Sequence, residues 1–237
     1  YPIFNVDDSL TKLIETFIGT GRGFFRILYL TLLEEHEAFA IVRFLIDHFH
    51  NNNFKNFKFI LQVLNNTIDS FDQIIKNQKI VLFGFGKVGE GIRHNLTSNG
   101  LEPENIIIID IDENKVQEAY ALGHPSFTLT KESKGRILNA FHDINPKIII
   151  TATGRENAIS DFFEPEEILM TRNNEQRLCF NMGTSNEYGF KFKNIPEEYG
   201  KIINNGLPAN YLLEVPTEGK LLTPVFSALI FSTIYGY

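Results

Sequence analysis

Three glycines follow an apolar segment with the spacing G-x-G-x-x-G, at Gly84, Gly86 and Gly89. The first permits a tight turn, the second lets a pyrophosphate approach the backbone, and the third allows close packing of a helix on a strand. The N–H groups at the start of the following helix, at Lys87 and Val88, would face the phosphates. The spacing predicts a dinucleotide-binding loop; the alternative is that the glycines only turn the chain from a strand into a helix.

Asp110 ends the next apolar segment, about 20 residues after the glycines, where an acid binds the ribose of NAD in folds of this kind. Its carboxylate would accept hydrogen bonds from the 2′- and 3′-hydroxyls and would repel the 2′-phosphate of NADP. The next residues, Ile111, Asp112 and Glu113, include no base that could bind this phosphate. The sequence therefore predicts NAD as the cofactor and rejection of NADP. We interpret Asp112 as the N-cap of the next helix.

These residues lie where short apolar segments alternate with amphipathic ones. Strands are predicted at KIVLFG, NIIIIDID, SFTLT, KIIITATG and LCFNMG, and helices follow the first three of them. Near-continuous Ile, Val and Leu segments separated by helices are typical of a parallel sheet covered on both faces. We therefore predict an α/β fold with a doubly wound, Rossmann-type parallel sheet over residues 77–237, which ends in a hairpin and a C-terminal helix up to Tyr235.

The first part of the sequence, residues 1–76, has a different pattern. Apolar residues recur at helical spacing from residue 24, and Asn51–Asn53 interrupt them before a second helical stretch. This pattern predicts an N-terminal helical segment. We expect its many aromatic residues to pack in the core or in a contact between subunits, which favours a homo-oligomer.

Composition argues against several partners and compartments. Lys and Arg number 22 and Asp and Glu 29, which gives a net charge of −7 and a pI near 5.4. Neither a nucleic acid nor a membrane surface is therefore an expected partner. The single cysteine, Cys179, excludes an internal disulfide and a multi-cysteine metal site, and it favours the reducing cytoplasm. We expect no signal peptide, and a start at Tyr1 rather than Met is expected of a fragment.

Four motifs surround this predicted core. They are TATGREN (151–157), FNMGTSNE (180–187), TEGKLL (217–222) and the opening YPIFNVDDSLTK, which GTGRGF follows. Together they resemble the S-adenosylhomocysteine hydrolase family, in which T-x-T-G-x-x-N and N-[IM]-G-H-x-N/D segments flank the nicotinamide end of a tightly held NAD. The resemblance covers roughly residues 2–24 and 77–236, and it makes residues 26–76 an insertion relative to the family.

The resemblance implies further site residues. Lys12 matches the family's active-site lysine, although a surface or helix-capping cation is the alternative. The hydroxyls of the two threonines after the fourth strand would face the cofactor, with ordinary strand-end hydrogen bonding as the alternative. The residues implied to line NAD, beside the glycine loop and its acid, are Thr151, Thr153, Gly154, Asn157, Asn181 and Gly183.

The sequence also departs from the family. Thr184 replaces the histidine of N-[IM]-G-H, Thr223 replaces the asparagine of E-G-R-L-x-N, and Thr16 with Phe17 replaces the Asp-Asn pair after the lysine. The sequence shows no counterpart of the family's N-terminal substrate domain. A threonine cannot act as the general base that a histidine supplies. We therefore expect no adenosylhomocysteine hydrolysis by this chain on its own.

Other ionisable residues favour structural roles. His48 and His50 are two residues apart and would point to different sides of a helix, so no metal site is predicted there. His94 is expected on a helix surface, and His124 in a turn, with contact to a ligand as the alternative. Three functions stay open: an NAD-dependent oxidoreductase acting on an alcohol or nucleoside, a non-catalytic NAD-binding regulatory or interaction module, and an interaction protein whose Rossmann domain binds nothing.

Overall fold

The computed structural model describes residues 15–34, 73, 75–193, 195–196 and 199–212. In this part of the chain six parallel strands form one sheet in the order β3-β2-β1-β4-β5-β6. Four of the strands are apolar and buried on both faces, which is why their sequences do not alternate. The strands are Ile80–Phe83 (β1), Ile106–Asp110 (β2), Ser126–Thr128 (β3), Ile148–Thr151 (β4), Leu178–Asn181 (β5) and Lys201–Ile202 (β6).

Helices cover both faces of this sheet. One face packs against α1 (Gly21–Glu34), α2 (Lys87–Ser98) and α3 (Glu113–Ala121), and the other against α4 (Lys134–Ile144) and α5 (Pro165–Leu169). The Rossmann-type α/β fold predicted from the sequence is therefore confirmed. The N-cap prediction is also confirmed, because the Asp112 side chain accepts a hydrogen bond from Asn114 N at 2.9 Å and so pairs a backbone donor at the start of α3.

Helix α1 brings part of the N-terminal segment onto the sheet. The ring of Phe24 is fully buried and meets Phe180 of β5 edge to face, with centroids 5.5 Å apart. Burial of a phenylalanine contributes roughly 2 kcal/mol. Gly21 and Gly91 let α1 and α2 touch at backbone distance, since a Cβ on Gly21 would lie 2.5 Å from Gly91 O. The helical prediction for residues 35–72 lies outside the described residues, as do the C-terminal hairpin and helix.

Strand β6 and helix α5 are among the short elements that were not predicted from the sequence. Strand β6 has two residues, and α5 has five. Neither is long enough for an apolar period to be visible, and β6 forms only because it pairs with Leu178 and Cys179 of β5. None of the described helices is long and apolar enough to cross a membrane.

Candidate functional site

The order of the strands reverses between β1 and β4. The chain leaves β1 toward β2 on one side and reaches β4 only after β3 on the other. At such a switch point the loops after the two neighbouring strands diverge, and a crevice opens at the carboxyl ends of the strands. The loop after β1 contains Gly84 and Gly86, and Gly89 lies in the first turn of α2. The loop after β4 contains Thr153 and Gly154. The fold therefore brings both predicted cofactor segments to one crevice.

The three glycines have different surroundings. Gly84 has φ +91° and lies against Ala152, whose carbonyl oxygen would be 2.5 Å from an added Cβ. Gly89 lies against the loop itself, since its Cβ would be 1.9 Å from Gly84 O. A Cβ on Gly86 would have no atom within 4 Å. Two of the glycines therefore serve the turn and the packing of α2, and the middle one leaves free space where a phosphate would approach the backbone.

Helix α2 begins directly at this space. Gly86 is its N-cap and has no side chain to cap the first N–H groups, and the helix begins at Lys87. A helix of 12 residues presents the positive end of its dipole at this point. The arrangement is compatible with a pyrophosphate, and contact of Lys87 and Val88 with the phosphates stays a prediction.

Asp110 lies at the end of β2, beside the glycine loop. One carboxylate oxygen accepts a hydrogen bond from Phe85 N at 2.6 Å, and the other accepts one from Asp112 N at 2.9 Å. The side chain is half-buried. Each carboxylate oxygen has a second lone pair, so both can also accept hydrogen bonds from ribose hydroxyls. The residue thus holds the glycine loop in place and keeps acceptor capacity for a ligand.

Thr151 and Asn181 are the most enclosed of the predicted cofactor residues. Both are fully buried. Asn181 accepts hydrogen bonds from Gly183 N at 3.0 Å and from the Thr151 hydroxyl at 3.3 Å. Its amide nitrogen donates to the carbonyls of Ser185 and Gly206, both at 2.6 Å. These bonds use the full capacity of the side chain. Its direct contact with a cofactor stays a prediction, and in the structure it joins the ends of β4 and β5.

Thr153, Gly154 and Asn157 line the loop after β4. Thr153 and Gly154 are exposed, and a Cβ on Gly154 would have no atom within 4 Å. The Thr153 hydroxyl accepts a hydrogen bond from Arg155 N at 3.1 Å. Asn157 has φ +60° and donates its backbone N–H to Asn186 O at 3.1 Å. The loop therefore presents exposed backbone at the crevice and is joined to the loop after β5.

Glu187 is a site residue that the sequence did not reveal. Its carboxylate accepts hydrogen bonds from Gly154 N at 2.6 Å and from Thr153 N at 2.9 Å, and the side chain is fully buried. Gly183 makes room for it, since a Cβ there would be 1.8 Å from Glu187 Oε1. Burial raises the pKa of the Glu187 carboxyl, and the bonds from the two N–H groups oppose this increase. The available signal is the acid that ends the motif FNMGTSNE.

The other candidates lie away from this crevice or outside the described residues. Lys12 and His48 lie outside the described residues. His94 is exposed on α2 beside the Phe17 ring, as expected. His124 is buried at the amino ends of the strands, opposite the crevice, where its ring Nδ1 forms a hydrogen bond with Pro103 O at 2.9 Å. Burial raises the pKa of the Cys179 thiol to about 12, so this residue acts as a small apolar group in β5.

The described residues contain no group of three or more His, Cys, Asp or Glu side chains that could hold a metal ion. The chemistry of the crevice is that of the N–H groups at the start of α2, open glycine backbone and one half-buried carboxylate. These groups suit a phosphate, a sugar hydroxyl and a flat ring.

Residues 80–161 match the family model of the TrkA-N domain. This is an NAD(H)-binding domain. NAD, the cofactor predicted from the sequence, is thereby confirmed at the level of the domain. The matched TrkA-N region contains the glycine loop, Asp110 and the loop after β4. Asn181, Gly183 and Glu187 follow it in the sequence, so the side of the crevice formed by β5 lies beyond the match.

One solved structure shares the fold, and a second is similar at a lower TM-score. A dipicolinate synthase structure from Bacillus halodurans is 12% identical with a TM-score of 0.51, over 92% of this chain and 55% of that chain. A glyoxylate reductase from Paecilomyes thermophila is 9% identical with a TM-score of 0.46, over 94% of this chain and 64% of that one. This chain thus spans about half the length of the first structure. No curated protein sequence matches the chain.

Proposed function

We propose that this chain is the NAD(H)-binding part of an NAD-dependent oxidoreductase, similar to the cofactor domain of S-adenosylhomocysteine hydrolase but without hydrolase activity on its own. The observation that carries the proposal is the crevice at the switch point, where the open side of Gly86 and the half-buried Asp110 carboxylate lie beside the start of α2. The resemblance to the hydrolase rests on sequence motifs, two of which form the loops after β4 and β5.

The residues of this chain would hold the cofactor in two halves. The N–H groups at the start of α2 would bind the pyrophosphate, and Asp110 would accept hydrogen bonds from the adenosine ribose. The loops after β4 and β5 would surround the nicotinamide end. Bound NAD would supply the hydride acceptor for oxidation of an alcohol carbon. An alcohol or a nucleoside is the proposed substrate class, and a homo-oligomer is the proposed assembly.

A calorimetric titration with NAD, NADH and NADP tests this function. We expect NAD and NADH to bind and NADP to give no heat. Gly86→Ala should abolish binding, because the methyl group would occupy the phosphate space while the fold tolerates it. Asp110→Ala should weaken NAD roughly 10-fold to 100-fold, since charge-assisted hydrogen bonds are worth about 1.5–3 kcal/mol.

Gly135→Ala is the matched control for Gly86→Ala. Gly135 is exposed on α4, and its Cβ would also have no atom within 4 Å. This variant should bind NAD as the unmodified protein does. Absence of binding by the unmodified chain, with no cofactor released on denaturation, would overturn the proposed function.

A non-catalytic NAD-binding module is the second candidate. The observation in its favour is the position of the described histidines, because His124 and His142 lie at the edge of the sheet opposite the crevice and His94 is on the outer surface of α2. An oxidoreductase would reduce bound NAD slowly when an alcohol or nucleoside is added, and Lys12→Ala would stop this reaction. A module would bind NAD and show no NADH absorbance with any of these compounds.

A further inference from the structure

Glu187 is a buried acid whose carboxylate lies at the crevice. Its two oxygens bind the backbone N–H groups of Thr153 and Gly154 at 2.9 and 2.6 Å. Its own backbone is fixed as well, because Ile159 N donates to Glu187 O at 2.9 Å. The direction of the carboxylate is therefore determined by bonds at both ends of the residue. Burial raises the pKa of this carboxyl, and the bonds from the two backbone N–H groups oppose that increase and favour the ionised form.

The position of Glu187 relative to the cofactor follows from the topology. The glycine loop and Asp110 belong to β1 and β2, so they would take the pyrophosphate and the adenosine half. A dinucleotide that crosses the switch point then places its nicotinamide half over β4 and β5. Thr153 and Gly154 are the exposed backbone of that side, and Glu187 lies directly beneath them.

The two redox forms of the cofactor differ in charge at this end. The nicotinamide ring carries one positive charge in NAD and none in NADH. A carboxylate fixed in the protein interior interacts with a nearby charge more strongly than one in water, because the effective dielectric constant is lower. A negative charge beneath the β4 loop therefore attracts the nicotinamide ring of NAD and not the neutral ring of NADH.

We propose that Glu187 is a positioning residue that fixes the Thr153–Gly154 loop and whose negative charge makes the site prefer the oxidised, positively charged nicotinamide. This inference rests on the proposed NAD(H) function and adds a preference for one redox form to it. The preference is a property of this chain alone, since both the acid and the loop belong to it.

The test is a comparison of dissociation constants for NAD and NADH in the unmodified protein and in Glu187→Gln. Glutamine has the same shape and no charge. We expect the ratio of the NADH constant to the NAD constant to fall by at least about threefold in the variant, mainly through weaker NAD binding. Glu175→Gln is the matched control, because Glu175 is an exposed acid paired with Lys147 at the opposite edge of the sheet. Its ratio should stay unchanged.

Each outcome decides the inference. Equal weakening of NAD and NADH in Glu187→Gln would overturn it, since a merely structural role changes both constants by one factor. Equal binding of the two forms by the unmodified protein would also overturn it and leave the proposed function standing. Absence of binding would overturn both. Circular dichroism establishes that the variant folds; if it does not, Glu187→Met supplies a neutral side chain of similar length, with the same expected ratio.

Discussion

On each side of the crevice a carboxylate accepts hydrogen bonds from backbone N–H groups of a neighbouring loop, but the two carboxylates differ in their exposure to solvent. On the β1–β2 side, Asp110 accepts a hydrogen bond from Phe85 N of the neighbouring loop, and its side chain is half-buried. On the β4–β5 side, Glu187 accepts two such bonds from Thr153 and Gly154, and it is fully buried. Both acids fix the loop after an adjacent strand. Only Asp110 retains acceptor capacity that a ligand can reach.

The degree of burial determines whether an acid at this crevice can bind a ligand or only position a loop. A half-exposed carboxylate can exchange water for ribose hydroxyls at little cost. A buried one has already lost its water and depends on backbone N–H groups for compensation. Asp110 is therefore suited to contact the cofactor, whereas Glu187 acts on it through the loop and through its charge.

The largest effect should come from Gly89→Ala on the β1 side. Its Cβ would stand 1.9 Å from Gly84 O, a backbone atom that cannot shift without displacing β1. We expect the free energy of unfolding to fall by roughly 3 kcal/mol, and Gly86→Ala to change it by less than about 0.5 kcal/mol. Urea denaturation measures both. Equal stability of the two variants would show that α2 does not depend on close packing at Gly89.

Gly183→Ala applies the same test to the β4–β5 side. An alanine at this position would clash with a side chain rather than with backbone, since the added Cβ would be 1.8 Å from Glu187 Oε1. We expect a loss of about 2 kcal/mol in the unmodified background and less than about 1 kcal/mol when Glu187 is already alanine. A double-mutant cycle by urea denaturation gives this coupling. Additive losses would mean that Gly183 does not make room for the carboxylate.

The pH dependence of stability should distinguish Glu187 from a solvated acid. Its folded pKa is raised above the ordinary 4.5, so the folded state binds the proton more tightly than the unfolded state. The resulting stability is fully present below 4.5 and is lost as the pH rises through the folded pKa.

Unfolding free energies of the unmodified protein and Glu187→Gln, measured from about pH 5 to about pH 8, test this sign. The unmodified protein should lose stability relative to the variant as the pH rises, by at most about 1.4 kcal/mol per pH unit. Parallel curves would contradict the raised pKa.

The smallest effect is expected from Asp161→Asn. Asp161 pairs with Arg155 of the β4 loop, and both side chains are exposed. Exposed ion pairs are worth about 0–1 kcal/mol, so stability should change by less than about 0.5 kcal/mol and the preference for NAD over NADH not at all. Thermal unfolding and calorimetry measure the two quantities. A changed preference would mean that any acid near the loop, buried or exposed, has the effect assigned to Glu187.

Local sequence patterns are enough to predict strands β1 to β5 and the β1–β2 side of the crevice. Uninterrupted apolar segments specify strands that are buried on both faces, and the glycine spacing with Asp110 specifies a loop whose function depends on its own backbone. Asp112 could also be predicted as a cap, because its partner Asn114 is two residues away. These features follow from neighbours in the chain, so a local pattern is enough to predict them.

The contacts on the β4–β5 side of the crevice could be established only from the tertiary structure. Glu187 meets Thr153 across 34 residues and Asn181 meets Gly206 across 25, and both contacts exist because β4 and β5 lie side by side. The two-residue strand β6 depends in the same way on its pairing with β5. Nothing in the spacing of an acid or an amide specifies which distant backbone groups it will meet. Burial and the N–H groups of Thr153 and Gly154 hold the carboxylate of an ordinary glutamate in one direction, and both are properties of the packed chain.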